Sequence, residues 1–232
     1  MVNGAPRWVP PRRDELEGVT VARIHPGSAT KAAIRVCVAD GRRFVVKDVG
    51  GMHPLVRSLY GRRVLHREER ALAALAGVPG VPALLGRIDP DALALEFIDA
   101  EPLRRDLEPA RLRRACAQLT ERIGRMHERG VVHLDLRQKR NVLVDAAGEV
   151  FLVDFQSAWV LAPGGLALRL LAPLDRSAAL KFRWRYAPEL LDEAERGRAR
   201  RLKRLGRLWI FNRFGPFLRF VLGRDRDRPR SP

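Results

Sequence analysis

"VVHLDLRQKRNVLVDAAGEVFLVDFQ", residues 131–156, places a His, an Asn and several Asp among short runs of β-branched and apolar residues. Such runs favour strands. Strands seldom accommodate carboxylates, because burying an ionised carboxylate is costly unless a cation or hydrogen bonds compensate it. A divalent metal ion with a polyphosphate attached is one such compensation. The stretch therefore predicts a polar site built on two short strands.

Further strands are predicted outside the opening stretch, and two of those near the N-terminus form a hairpin. "VTVARI", "AAIRVCV" and "RRFVVKDV" each predict a short strand, and Asp40-Gly41 between the second and third is a hairpin turn signal. Further along, "ALALEFI" resembles a strand, preceded by "GVPGVPALLG", which we interpret as a loop. Within the opening stretch, "NVLVD" and "EVFLVD" are two strands joined by a turn that ends in Gly148.

Two segments carry apolar residues at helical spacing. Residues 62–76 predict one helix, with Gly77 as its stop. Residues 109–129 predict a second helix that ends at Gly130 and whose apolar face contains Leu112, Cys116, Leu119, Ile123 and Met126. Strands followed by helices and a second hairpin indicate an α+β fold in two lobes.

Length and composition fit this organisation. A chain of 232 residues with 46% hydrophobic residues is one medium domain or two small lobes with a real core. We expect an N-terminal extension over residues 1–18, a sheet-rich lobe over 19–98, a helical lobe over 99–204 and a C-terminal tail over 205–232. A cleft between two lobes is a common place for a small ligand.

The charge and the cysteines limit the protein's surroundings. The net charge is +17, and the chain from Arg176 to Arg230 alone has 17 basic and 6 acidic residues. Cys37 and Cys116 form no disulfide framework and no CxxC pair, which favours a reducing cytosol. No stretch resembles a signal peptide or a bilayer span, so we expect a soluble or peripheral protein.

The tail mixes arginines with aromatic residues, including Trp209, Phe211 and Phe214. This pattern is typical of segments that lie in a membrane interface and are attracted to anionic headgroups. Alternatively, the aromatic residues pack on the helical lobe and the arginines form a solvated face. The same charge would suit nucleic acid, but no recognised binding motif supports that partner.

"HLD", then Asn141, then "VDF" thirteen residues later resemble the catalytic loop and metal-binding motif of the protein kinase-like phosphotransferases. The resemblance covers residues 20–190 and is closest to compact bacterial members, the RIO kinases and the lipopolysaccharide core kinases. It implies a bilobal protein kinase-like fold with a small antiparallel-sheet N-lobe and a truncated helical C-lobe. It also implies ATP and Mg²⁺ as cofactors.

The resemblance assigns roles to residues of the opening stretch. Asp135 would orient the acceptor hydroxyl and accept its proton, and Arg137 stands where protein-directed kinases commonly have a phosphate-contacting Lys. Asp154 and Asn141 would be the magnesium ligands. We interpret His133 as structural. Taken singly, each Asp or Asn would be expected to make only local backbone hydrogen bonds.

Further nucleotide contacts are expected in the N-terminal half. Lys47, in the apolar run "FVVKD", resembles the strand lysine that holds the nucleotide's phosphates. Its expected partner is Glu68 and not Glu69, because Glu68 shares a helical face with Leu65, Leu72 and Leu75. The loop "HPGSATK", with Gly27 and Ser28, would cover the phosphates through backbone N–H groups.

The segment "LEFIDAEPL" resembles the hinge, where backbone groups of Glu96 and Ile98 would meet adenine. Two features depart from the family pattern. Five residues separate Asp135 from Asn141, where the usual catalytic loop has four, and Gln156 replaces the glycine of DFG. Ala187-Pro188-Glu189 resembles the APE that ends the segment after that motif.

The sequence therefore predicts an ATP- and Mg²⁺-dependent kinase that transfers the γ-phosphate to a hydroxyl. Protein Ser/Thr and a lipopolysaccharide core sugar both stay open as acceptors. The expected location is the cytoplasm, with peripheral contact at the inner face of the cell membrane if the tail binds anionic lipid. The alternative is a pseudokinase scaffold that binds nucleotide or a partner without transfer.

Overall fold

The computed structural model describes residues 8–208, and their side chains as far as residue 201. It confirms the predicted α+β class, with a five-stranded antiparallel sheet and several helices. The strands are β1 Thr20–His25, β2 Ala33–Ala39, β3 Arg42–Asp48, β4 Leu84–Asp89, β5 Ala92–Glu96, β6 Ala100–Pro102, β7 Val131–Val132, β8 Val142–Asp145, β9 Val150–Leu152 and β10 Trp159–Val160.

The large sheet has the strand order β1-β2-β3-β5-β4. Its central hairpin forms where the sequence predicts it, with Ala39 opposite Arg42 across the turn. Asp40 and Gly41 both have positive φ, 50° and 70°. That backbone conformation matches a two-residue hairpin turn, which Asp and Gly tolerate better than other residues.

Strand β4 corrects the prediction of a loop over "GVPGVPALLG". The strand begins at Leu84 and pairs with β5, but its register shifts between Leu84 and Gly86. Most of its residues are only half-buried, and its sequence, "LLGRID", does not alternate between apolar and polar residues. Because alternation is the main sequence signal for a strand, β4 is difficult to predict from the sequence.

The helices are α1 Leu16–Val19, α2 Pro54–Val56, α3 Arg62–Ala74, α4 Pro109–Glu128, α5 Leu166–Tyr186 and α6 Glu193–Leu208. Helices α3 and α4 confirm the two sequence predictions to within two residues at each end. The Glu108 carboxylate caps α4 by accepting hydrogen bonds from the Ala110 and Arg111 N–H groups. The five apolar residues predicted for one face of α4 are all buried.

Helix α5 and strands β6, β7 and β10 are additions to the predicted elements. Much of the sequence between Asp154 and Ala187 is thus a single helix, which begins after Gly165 and contains Pro173. Gly164, Gly165 and Pro173 obscure its helical pattern, because these residues usually interrupt helices. Ala187-Pro188-Glu189 lies at the C-terminal end of this helix.

Residues 8–190 lie in one compact unit, and α6 lies in a second unit. Among the described helices, none has the length and apolar character needed to cross a bilayer. The predicted tail, 205–232, falls almost entirely outside the described residues. The lobe boundaries proposed from the sequence remain predictions.

Two hydrophobic clusters stabilise the first unit. Phe44 and Val46 point to one face of β3 and join a smaller cluster that includes Cys37. Val45 faces the opposite way, toward the larger cluster formed with α3 and α4. Since side chains alternate along a strand, Lys47 shares the face of Val45 and points toward α3.

Both predicted free cysteines, Cys37 and Cys116, are buried and form no disulfide within the described residues. Burial raises the pKa of the Cys116 thiol to about 11. The thiol therefore stays protonated at neutral pH and acts as a small apolar side chain in the core.

Candidate active site

Lys47 is the centre of a buried ionic cluster. The Lys47 side chain is only 7 % exposed, and its Nζ donates to Glu68 Oε1 at 2.6 Å and to Asp154 Oδ1 at 3.0 Å. The three residues come from β3, α3 and the turn after β9, which lie far apart in the sequence. The predicted pairing of Lys47 with Glu68 is therefore present, and Asp154 joins it.

The cluster keeps Lys47 and Asp154 charged. Burial by itself would lower the pKa of Lys47, but the nearby Glu68 and Asp154 carboxylates outweigh it and raise that pKa. Burial would raise the pKa of Asp154, but the Lys47 ammonium lowers it below its ordinary value. Lys47 and Asp154 thus carry opposite charges at neutral pH.

Glu68 also holds the segment after Asp154 in place. Its Oε1 accepts a hydrogen bond from the Phe155 N–H at 3.2 Å, while Oε2 has no hydrogen-bond partner within the described residues. Glu69, the neighbouring candidate, points elsewhere and pairs with Arg87 at 2.6 Å. Helical periodicity therefore chose correctly between the two glutamates.

Asp154 adopts the left-handed conformation, with φ at 69°. The next residue, Phe155, is fully buried and packs against the His133 ring, with 4.6 Å between the ring centroids. Gln156 stands where the kinase pattern has a flexible glycine. Phe155 is thus held by the core around its ring and by Glu68 at its N–H.

Asp135 lies in the loop between β7 and β8 and is anchored by two amides. Gln138 Nε2 donates to both carboxylate oxygens, at 2.7 and 2.6 Å. Asn141 Nδ2 donates to Asp135 Oδ2 at 3.1 Å and to the Asp135 carbonyl at 3.0 Å. A short 3₁₀ turn, Lys139–Asn141, accommodates the longer loop, so Asn141 still reaches Asp135.

Asn141 also has an oxygen available for a ligand. The side chain is fully buried, and its Oδ1 has no hydrogen-bond partner within the described residues. The Val153 N–H donates to the Asn141 carbonyl at 3.1 Å, which places Asn141 beside the strand that leads into Asp154. Amide and carboxylate oxygens are the ligands that Mg²⁺ prefers.

The side chains of Asn141 and Asp154 therefore have the ligand chemistry that the predicted magnesium ion needs, although two side chains alone do not complete its coordination. No group of three or more His, Cys, Asp or Glu side chains in the described part of the chain is arranged to hold a metal. This is compatible with Mg²⁺, which usually binds through one or two protein ligands together with substrate phosphates and water.

Asp175 on α5 is the site residue that sequence reasoning missed. It is buried, and its carboxylate accepts hydrogen bonds from the His133 and Leu134 N–H groups, both at 2.8 Å. Its Oδ2 also lies 3.1 Å from His127 Nε2. Leu134 has φ at 66°, so Asp175 fixes an unusual backbone turn directly before Asp135.

Replacing Asp175 by asparagine is expected to lower the free energy of unfolding by about 1–3 kcal/mol, because the amide leaves one buried N–H unsatisfied. Urea unfolding would measure the change. Asp99→Asn, at an exposed aspartate, is the matched control and should leave stability within about 0.5 kcal/mol. Equal stability of the two variants would contradict the role given to Asp175.

His133 is placed as the sequence suggested, in a structural position. It is fully buried, its Nε2 lies 3.0 Å from the Val153 carbonyl, and burial lowers its pKa. A neutral imidazole can donate to that carbonyl. His133 thereby connects the loop of Asp135 to the strand that precedes Asp154.

Arg137 is exposed, and its Nη1 donates to Ser177 Oγ on α5 at 3.1 Å. Lys181 Nζ donates to the Arg137 carbonyl at 2.7 Å. Burial, followed by the charges of Arg137, Arg185 and Lys139, lowers the pKa of Lys181. The predicted catalytic arginine thus lies in a basic region beside Asp135, with its guanidinium directed to α5.

The predicted phosphate loop is a tight turn between β1 and β2. Gly27 has φ at 83°, and its N–H donates to His25 Nδ1 at 2.9 Å. A side chain at this position would press against Ala33 at 3.1 Å. Ser28 and Lys31 form a backbone bridge across the loop. The glycine is therefore required by the turn whether or not a phosphate binds.

The predicted hinge follows β5. The Glu96 N–H donates to the Ala83 carbonyl at 2.9 Å, and the Glu96 carboxylate accepts from the Ala83 N–H at 2.9 Å. The Ile98 carbonyl accepts from the Ala100 N–H at 3.0 Å. These bonds give the segment a defined shape, and its contact with adenine stays a prediction.

Comparison with known proteins does not assign the chain to a family. No protein-family model matches the chain, and a search of curated proteins found no match. The functional argument therefore depends on the site itself. A buried lysine between two carboxylates, beside an aspartate held by two amides, can bind anionic groups, bind a hard cation and accept a proton.

Proposed function

We propose that the chain is an ATP- and Mg²⁺-dependent phosphotransferase with a bilobal protein kinase-like fold, whose acceptor is a hydroxyl. The observation that carries this proposal is the hydrogen bonding of Lys47 to both Glu68 and Asp154. Phosphoryl transfer depends mainly on positioning and charge neutralisation, and such a cluster supplies both.

Each residue has a defined task in this proposal. Lys47, held by Glu68, contacts the phosphates of ATP. Asp154 and Asn141 hold the magnesium ion, which when bound neutralises charge on the phosphates. Asp135 orients the acceptor hydroxyl and accepts its proton. Gln138 and Asn141 hold the Asp135 carboxylate in a fixed direction, which such a task requires.

The acceptor is either a protein Ser/Thr or a lipopolysaccharide core sugar. The basic region around Arg137, Lys181 and Arg185 favours an acceptor with negative charge, since the charges of neighbouring cations add. An anionic glycolipid would also suit peripheral contact with a membrane. The predicted interfacial tail that would support such contact lies mostly outside the described residues.

A pseudokinase scaffold is the second candidate, and one observation favours it. Gln138 donates to both oxygens of Asp135, so the proposed base is already engaged. A carboxylate has about four lone-pair sites, which leaves room for an acceptor hydroxyl. Turnover with ATP distinguishes the two candidates, because the scaffold would bind nucleotide without transfer.

The metal assignment gives a direct test by isothermal titration calorimetry. We expect Mg²⁺ to strengthen ATP binding to the wild type by about tenfold, or about 1.4 kcal/mol. Asp154→Asn keeps a neutral acceptor for Lys47 but loses the charged metal ligand, so Mg²⁺ should have little effect on its ATP affinity. An undiminished Mg²⁺ effect in the variant would remove Asp154 as a ligand.

A further inference from the structure

A row of basic side chains covers one exposed face of α3. Arg63, Arg67 and Arg70 follow each other at i, i+4 and i+7, and His66 lies between them. This spacing places them on a single face of the helix. Glu68, which bonds to Lys47, points to the opposite side. The row is therefore separate from the candidate active site.

A cleft of about 310 Å³ lies between this row and the segment around β10. Trp159 forms its apolar wall and is 50 % exposed. The Arg67 guanidinium lies over the Trp159 ring, 5.6 Å from its centroid. The volume falls at the lower end of the range of small-molecule sites.

The positive charge of the cleft is largely uncompensated. Within the described residues, none of its three arginines forms an ion pair with a carboxylate, and Arg63 donates only to the Leu59 carbonyl. His66 lies 3.5 Å from Glu69, but Glu69 is bonded more closely to Arg87. Like charges at i and i+4 of a helix repel each other, so an anion bound here would relieve that repulsion.

We propose that this cleft binds a phosphate group carried on a small carbon skeleton. Guanidinium groups match the geometry of phosphate oxygens through paired N–H donors. A half-exposed indole beside them gives the skeleton an apolar surface to pack on. The site takes a phosphate monoester in preference to free phosphate.

The test is calorimetric titration of the full chain with inorganic phosphate and with phenyl phosphate, in chloride buffer of constant ionic strength. We expect saturable binding of both probes, with phenyl phosphate binding more tightly. Arg67→Gln/Arg70→Gln should weaken both by at least about tenfold, the effect of losing charge-assisted hydrogen bonds. Trp159→Ala should remove the advantage of phenyl phosphate and keep the binding of inorganic phosphate.

Arg105→Gln/Arg114→Gln is the matched control, because both arginines are exposed and the change in net charge is the same. It should bind both probes like the wild type. Equal weakening in this control would mean that binding depends on the overall positive charge and not on the cleft, which would overturn the proposal. A wild type that shows no saturable binding would overturn it as well. Equal affinity for the two probes would overturn the preference for a monoester. Circular dichroism confirms that each variant is folded.

Discussion

Asp135→Ala is expected to lower the rate of phosphoryl transfer by about 10²- to 10⁴-fold, the usual contribution of a positioned general base. ATP affinity should stay within about threefold of the wild type, because Lys47, Asp154 and Asn141 remain in place. The carboxylate that is lost lies in a loop fixed by Asp175, so the change should remain local. Steady-state rates and calorimetry, measured on the same preparations, separate the two effects.

Gln138→Ala is the informative companion to this variant. It removes the amide that occupies both Asp135 oxygens but keeps the carboxylate itself. We expect a much smaller loss of rate than in Asp135→Ala. If Asp135→Ala transferred phosphate as fast as the wild type, Asp135 would not be the base. If Gln138→Ala transferred phosphate while the wild type did not, the native chain would be a pseudokinase scaffold in which Gln138 blocks Asp135.

Lys47→Met is expected to lower the free energy of unfolding by about 3–5 kcal/mol, the usual cost of breaking a buried ion pair from one side. Methionine fills much of the same volume but leaves Glu68, which is 1 % exposed, without its cation. Urea unfolding at pH 7 would measure the loss. Lys31→Met, at an exposed lysine, is the control and should lie within about 0.5 kcal/mol of the wild type.

The pH dependence of the difference in free energy of unfolding between the wild type and Lys47→Met distinguishes a charge effect from a packing effect. The raised pKa of Lys47 means that its stabilisation is complete below the ordinary value of 10.5 and is lost as pH rises through the folded pKa. The lowered pKa of Asp154 means that its stabilisation is present above 3.8 and is lost as pH falls through the folded pKa. Both contributions are therefore present at neutral pH.

In Lys47→Met the Asp154 carboxylate loses the cation that lowers its pKa and remains near the Glu68 carboxylate, which favours protonation of Asp154. Acid should therefore relieve the variant, while the wild type keeps the contribution of Asp154 at every pH above 3.8. We expect the stability difference between them to narrow as the pH falls from about 7 toward about 4. A difference that is the same at both pH values would mean that Lys47 stabilises the protein through packing alone.

Much of the site could be predicted because its parts carry local signals. The Asp40-Gly41 turn and the apolar face of α4 follow directly from backbone preference and helical periodicity. Periodicity also separated Glu68 from Glu69, since only one of them shares the buried face of α3. Lys47 could be oriented in the same way, by the alternation of β3.

The missed parts depend on contacts that a single sequence does not reveal. Asp175 lies more than 40 residues from the backbone groups it binds, and its neighbours on α5 give no sign of a partner. Strand β4 is irregular and half-buried, so its pattern resembles a loop. The spacing between Asp135 and Asn141 is one residue longer than in the family pattern, and only the 3₁₀ turn shows how the longer loop brings the Asn141 amide back to Asp135.

The most direct test of the proposed phosphotransferase is transfer of label from γ-labelled ATP. The purified protein, with Mg²⁺, is added to a bacterial lysate that is then separated into protein and glycolipid fractions, with Asp135→Ala run in parallel. We expect label in one fraction for the wild type and almost none for the variant, and the labelled fraction identifies the acceptor class. No label above background with the wild type, while ATP still binds, would contradict the enzyme and leave the scaffold.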